Sequence, residues 1–130
     1  MNTDTVIKAC DLGGGIVATI RDCTSHYFGG YYHVRILISA DVPVSDTSFD
    51  TVIDFEDARV RLGDTVNFSR TLEKMAVPET EIGIVRHKLL ADFNVNVLPY
   101  LRRIDFASNF VRSEYRKKLT SVPTFRRYHA

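Results

Sequence analysis

The sequence has little of several residue types that would define a special class of protein. Tryptophan is absent, and cysteine occurs twice, proline four times and glycine seven times in 130 residues. Because 45% of the residues are hydrophobic and 25% are charged, the composition excludes a collagen-like, disulfide-rich or disordered chain. A chain of this length buries roughly two-thirds of the surface that its unfolded form exposes. We therefore expect a single domain over residues 1–130.

Long apolar runs and targeting signals are also missing. No stretch approaches the ~18 apolar residues of a membrane span, and Met1–Thr5 shows no basic and apolar leader. Since Cys10 and Cys23 are the only cysteines, we predict free thiols in a cytoplasmic protein without a membrane partner. A disulfide between them is disfavoured, because a turn centred on Gly13–Gly14 would pair Cys10 with Val17.

Standard metal and phosphate motifs are absent as well. The spacing of Cys10, Cys23, His26 and His33 matches no zinc ligand set, and the glycine run Leu12–Ile16 lacks a Gly-Lys-Ser/Thr or a dinucleotide-binding fingerprint. We therefore predict no metal and no cofactor, with the glycine run forming a turn or bulge.

Strand-forming residues are concentrated in the first half of the chain. Thr5–Asp11, Ile16–Ile20 and Tyr31–Ile38 are rich in β-branched and aromatic residues, and glycines separate them. They predict three antiparallel strands in a meander. Thr65–Leu72 fits the periodicity of a strand or a helix, and we favour a fourth strand because its residues are weak helix formers.

Helical patterns are concentrated in the second half. Residues 55–62 have helical spacing before Gly63. A longer helix is predicted to begin at Pro78 and to be broken or kinked by Pro99. Its core face consists of Ile82, Val85, Leu89 and Phe93. A last helix should begin after Asp105 or Ser108 and end before Pro123. The sequence thus predicts an α+β fold, in which a three- or four-stranded antiparallel sheet packs two or three helices on one face.

The richest candidate site surrounds Gly29–Gly30. It contains an acid, two histidines, a tyrosine and an arginine, namely Asp22, His26, His33, Tyr27 and Arg35. Histidine exchanges protons near neutral pH, so these side chains would suit acid–base chemistry if they lined one pocket. Aromatic edge residues that pack against a helix are the alternative interpretation.

The register of this hairpin has two readings. A two-residue loop would place His26 opposite His33. The apolar alternation instead requires one extra residue or a bulge, which pairs His26 with Tyr32 and Asp22 with Ile36. Asp22 would then face inward, unless a bulge near it turns the side chain out.

Charge is unevenly distributed although the formal net charge is only +1. Residues 1–101 carry nine Lys and Arg against 14 Asp and Glu, whereas residues 102–130 carry eight against two. Seven of these 14 acidic residues lie in Asp41–Asp64. We predict that this segment of one copy approaches Arg112–Arg127 of a second copy, because opposite charges attract and homodimers are common.

The last helix and the residues after it form the basic part of the chain. The candidate interaction residues are Arg112, Arg116, Lys117, Lys118, Arg126 and Arg127. Interleaved aromatic residues give this segment the composition of a single-stranded RNA-binding surface, but the pI near 7.8 is low for such a protein. A solvated helix face followed by a flexible tail at residues 120–130 is the simpler interpretation.

No motif in the sequence defines a reaction. We therefore expect a small interaction or accessory protein that self-associates as a homodimer. A small enzyme that uses the hairpin residues is one alternative. A protein that binds RNA or an acidic protein through the basic segment is another.

Overall fold

The computed structural model describes the backbone of residues 4–127 and the side chains of residues 4–120. In this range the elements are β1 (Thr5–Gly13), β2 (Ile16–Asp22), β3 (Ser25–Phe28), β4 (Tyr31–Pro43), α1 (Val52–Leu62), β5 (Thr65–Pro78), α2 (Ile82–Asp92), α3 (Leu98–Leu101) and α4 (Phe106–Arg127). A π-helical turn at Phe93–Val97 joins α2 to α3 into one continuous helical stretch, and α1 and α4 are the other two. The α+β class is confirmed, with five antiparallel strands rather than three or four.

Strand β4 is the centre of the sheet. It pairs with β2, β3 and β5, while β1 pairs with β2. Strands β2 and β3 lie along the same side of β4, since Asp22 pairs with Ile36 and His26 with Tyr32 in one register. Between them, the Cys23 amide still donates to the Arg35 carbonyl at 2.8 Å.

The β1–β2 hairpin differs from its predicted register by one residue. Cys10 pairs with Ala18 rather than Val17, because Leu12 is an extra residue between the pairs formed by Asp11 and Gly13. Glycine is required at this turn, where Gly13–Gly15 all have positive φ angles.

The chain divides into two compact units. The first comprises the residues up to Ala40 together with Phe68–Arg103, and the second comprises Asp41–Asn67 together with the residues from Ile104 onward. The expectation of a single domain stays a prediction.

In the first unit, α2 covers one face of the sheet. The even-numbered side chains of β4 from Val34 to Ala40 are buried, and Val34 forms a cluster with Val77 and Val85, against which Ile82 and Leu89 pack. Phe93 is also fully buried. The predicted core face of this helix is therefore confirmed.

In the second unit, α1 and α4 pack together around a small core. Ala58 of α1 and Val111 of α4 are fully buried. The predicted helix end is present, because Gly63 follows the last turn of α1 with a φ of 87°. The helix begins earlier than the predicted residue 55, at Val52, where the Thr51 hydroxyl accepts from the Asp54 amide.

Three prolines only partly act as the sequence predicts. Pro78 ends β5 and precedes a 3-10 turn at Glu79–Glu81 that leads into α2, so helical structure starts next to Pro78 but the α-helix itself begins at Ile82. The Glu79 amide donates to the hairpin at the Gly30 carbonyl. Before Pro99 the regular α-helix gives way to the π turn at Phe93–Val97, and helical structure then continues through Pro99 to Leu101, so the helix is interrupted but not ended there. Pro123 lies inside α4, because one missing hydrogen bond costs energy without forbidding a helix. Whether residues 120–130 form a flexible tail stays a prediction.

Candidate functional site

The hairpin formed by β3 and β4 carries most of the predicted site residues. Phe28 pairs with Tyr31, so Gly29–Gly30 is a two-residue loop, and Tyr27 is an extra residue between the pairs made by His26 and Phe28. The bulge restores the register that the apolar alternation requires. The predicted pairs of His26 with Tyr32 and Asp22 with Ile36 are confirmed, and a direct His26–His33 pair is wrong.

Asp22 is buried at the end of β2 and is fully engaged in local contacts. One carboxylate oxygen accepts from the Thr24 amide at 3.0 Å and from the Thr24 hydroxyl at 2.5 Å. The other lies 2.8 Å from Nε of Arg86 on α2. A carboxylate with these partners anchors the short connection between β2 and β3 to α2.

His26 lies on the same face of the sheet as Asp22 but in an exposed position. Its Nε2 is 2.5 Å from the Gly29 carbonyl oxygen, and its ring makes an edge contact with Tyr32 at 5.3 Å between centroids. Both contacts hold the hairpin tip in its observed shape.

His33 and Arg35 lie on the opposite face of the sheet. Side chains alternate along a strand, and the neighbouring Val34 and Ile36 are buried on the face that α2 covers. His33 Nε2 contacts the Glu73 carboxylate at 2.9 Å. The predicted pocket therefore does not form, because the sheet separates Asp22 from His33.

The sequence did not identify the most prominent feature of the hairpin, which is its exposed aromatic tip. Tyr27 is 54% exposed, Phe28 74% and Tyr31 48%. Strand periodicity alone predicts that such aromatic residues pack at the edge of the sheet. The register with the bulge at Tyr27 is the signal that would have placed these three side chains at the exposed tip.

Part of the basic segment contacts the acidic segment within the same chain. Tyr115 on α4 donates a hydrogen bond to Asp57 on α1 at 2.6 Å and packs edge-on against Phe49 at 5.5 Å. Arg112 and Arg116 line a pocket of about 140 Å³ together with Asp50 and other residues of this segment. Residues 112–116 of the basic segment thus meet the acidic segment of their own chain, where the contacts of Tyr115 help to dock α4. The side chains of Arg126 and Arg127 lie outside the described residues.

A larger groove in the second unit is lined by two more of the predicted cations. It has a volume of about 520 Å³, and its lining residues are Arg61, Leu62, Thr65, Val66, Asn67, Glu114, Lys117 and Lys118. Arg61 was not among the predicted residues, since the sequence does not reveal that the end of α1 lies beside α4.

A short hydrogen-bond network fixes Arg61 at this groove. The Asp57 Oδ2 atom accepts from the Tyr115 hydroxyl at 2.6 Å and from Arg61 Nε at 2.9 Å. These two donors, Tyr115 first, lower the pKa of Asp57. The same hydrogen bond, with burial, raises the pKa of Tyr115 to about 12. Asp57 therefore stays charged over the whole neutral range.

Metal ligands and membrane-spanning segments do not stand out in the part of the chain that the structure describes. Among residues 4–127, no group of three His, Cys, Asp or Glu side chains is arranged to hold a metal ion. No helix within this range is long and apolar enough to cross a bilayer. Cys10 is buried, Cys23 is half-buried, and both are free thiols.

Comparison with protein-family models, with curated proteins and with solved structures finds no match to this chain.

Proposed function

We propose that this chain is a small interaction protein that pairs with a second copy of itself through the hairpin tip, Tyr27–Tyr32. The observation that carries the proposal is the exposure of Tyr27, Phe28 and Tyr31 on one tight turn. Aromatic residues are enriched at the centres of protein interfaces, where burying them provides much of the binding energy.

The hairpin tip is held rigid before any partner binds. The contact of His26 with the Gly29 carbonyl closes the loop from one side. The Glu79 amide donates to the Gly30 carbonyl at 3.1 Å from the other side. A preorganised loop loses little conformational entropy on association, so more of the aromatic contact energy remains for binding.

A second copy is the partner that the charges favour. The tip residues from Tyr27 to Tyr32 carry no charged side chain, and one histidine flanks them on each side. The whole chain has a formal net charge of +1. Two copies therefore approach without strong repulsion, and twofold dimers are the commonest oligomers. This pairing replaces the acidic-to-basic pairing expected from the sequence, whose partners already meet within one chain.

The exposed aromatic area sets the expected strength of the dimer. Three aromatic side chains of roughly 150–250 Å² each, about half exposed, offer on the order of 300 Å². A stable interface needs about 800 Å² from each partner. We therefore expect a weak, reversible dimer that also uses sheet surface next to the tip.

Sedimentation equilibrium tests the proposal with a matched control. Replacing Phe28→Ser together with Tyr31→Ser should raise the dimer dissociation constant about tenfold or more, which corresponds to a loss of about 1.4 kcal/mol or more. Ile84→Ser removes a side chain of similar exposure, 58%, elsewhere in the first unit and should leave the constant unchanged. A wild-type protein that stays monomeric at high concentration contradicts the proposal, as does an equal effect of the control.

We propose that the protein acts in the cytoplasm, because its two cysteines are free thiols and reducing compartments keep thiols in that state. The enzyme alternative loses support from the separation of Asp22 and His33 on opposite faces of the sheet. The RNA alternative has no geometric support at the pocket of Arg112 and Arg116, where Asp50 and Asp54 supply acidic groups.

A further inference from the structure

The groove in the second unit has the size and the lining of a ligand site. Its volume of about 520 Å³ lies within the range of roughly 300–1,000 Å³ that ligand pockets span, and it is far larger than one phosphate or carboxylate group. Three cations and one acid line it, which are Arg61, Lys117, Lys118 and Glu114. The lining thus favours an anionic ligand that has several groups.

From this lining we infer that the groove binds an extended peptide in which acidic residues alternate with aliphatic ones. The acidic groups would contact the cations on α1 and α4. The aliphatic groups would contact Leu62 and Val66, which line the same space. The inference does not rest on the proposed self-association, because the groove and the hairpin tip belong to different units.

The cations are available to such a ligand although they have partners within the chain. Lys117 is 74% exposed, whereas the Glu114 oxygen that it contacts at 2.8 Å is buried. The ammonium group has three N–H donors, so Lys117 can keep this contact and still donate to a ligand carboxylate. Arg61 contacts Asp57 through Nε, and a guanidinium has four further N–H groups. Because Asp57 and Tyr115 hold Arg61 in place, its remaining donors are preorganised.

The lining argues for a peptide rather than a nucleic acid. Single-stranded nucleic acids are bound through aromatic side chains on which bases stack. None of the eight described residues that line the groove is aromatic, whereas Leu62 and Val66 provide aliphatic surface.

Fluorescence anisotropy with defined peptides tests the inference. The probe is a fluorescein-labelled octapeptide of alternating Glu and Leu. The comparison peptides alternate Lys and Leu, or Glu and Gly, and an octameric single-stranded RNA serves as the nucleic-acid probe. We expect the Glu-Leu peptide to bind, the Glu-Gly peptide to bind about fivefold or more weakly, and the other two to show no saturable binding.

Variants locate the peptide on the groove. Lys117→Glu should weaken Glu-Leu binding about tenfold or more. Lys88→Glu makes the same charge change at an exposed position of α2 and should leave binding unchanged. In the wild-type protein, the methyl NMR signals of Leu62 and Val66 should shift when the Glu-Leu peptide is added. This measurement locates the peptide without depending on the folding of a variant. Equal binding of the Glu-Gly peptide, a stronger response to RNA, an unaffected Lys117→Glu variant, or no binding of the Glu-Leu peptide would each overturn the inference.

Discussion

The Asp57–Tyr115 hydrogen bond joins two residues that are 58 positions apart in the chain. Neither residue stands out in the sequence, where Asp57 is one of many acids and Tyr115 is one apolar position of a helix. Their roles depend on the packing of α1 against α4, which local patterns do not determine. Asp22 is the contrasting case, because the conflict between the glycine turn and the apolar alternation identifies it from the sequence alone.

The pKa of Tyr115 predicts a pH dependence at alkaline pH. Its folded pKa of about 12 exceeds the ordinary value of 10.0, so the unfolded chain loses this proton first. The resulting stability is fully present below pH 10 and is lost as the pH rises from 10 to 12. Tyrosinate absorbance should therefore show an ionisation near pH 12, which disappears in Tyr115→Phe and moves to lower pH in Asp57→Asn.

A charge-matched control separates this hydrogen bond from general electrostatics. Asp92→Asn removes one negative charge in the first unit and should leave the late ionisation in place. If Asp57→Asn also leaves it in place, the assignment of the raised pKa to this contact is wrong.

At the scale of elements, α2 illustrates what periodicity predicts and what it misses. The spacing from Ile82 to Phe93 identified the buried face correctly, since helix faces follow from sequence alone. The α-helix begins at Ile82, four residues after Pro78, because a 3-10 turn at Glu79–Glu81 comes first, and the hydrogen bond of Glu79 to Gly30 depends on the hairpin. Pro99 predicted an interruption of this helix, but the sequence did not show that it takes the form of a π turn at Phe93–Val97.

The two faces of α2 provide a stability test. Leu89→Ala should lower the free energy of unfolding by about 2 kcal/mol, near the lower end for buried leucines because this side chain is partly exposed. Ile84→Ala, on the exposed face of the same helix, should change it by less than about 0.5 kcal/mol. Urea denaturation measures both. Equal effects would show that the face assignment is wrong.

At the scale of the whole molecule, the charge asymmetry was real but its interpretation was incomplete. Composition shows how many charges each segment carries, and it does not show which segment they meet. The aromatic contact between Phe49 and Tyr115 helps to place α4 beside the acidic segment of its own chain. The α+β class, by contrast, follows from composition and periodicity, which each element carries locally.

Salt dependence distinguishes the two modes of self-association. A dimer held by the hairpin tip should keep its dissociation constant within about twofold between about 0.05 and 0.5 M sodium chloride, since apolar contacts are not screened. A dimer held by acidic and basic segments should weaken strongly over the same range. Sedimentation at both salt concentrations decides between them, and pronounced weakening would contradict the aromatic interface.

The central position of β4 has a consequence for synthesis on the ribosome. Four of the five strands are complete once Pro43 has emerged, but the helical stretch that covers their apolar face ends only at Leu101. At about 5–20 residues per second, the nascent sheet waits roughly 3–12 s for that cover. During this interval Ile20, Ile36 and Ile38 are open to chaperones and to neighbouring nascent chains, so slow translation of residues 44–101 should increase aggregation.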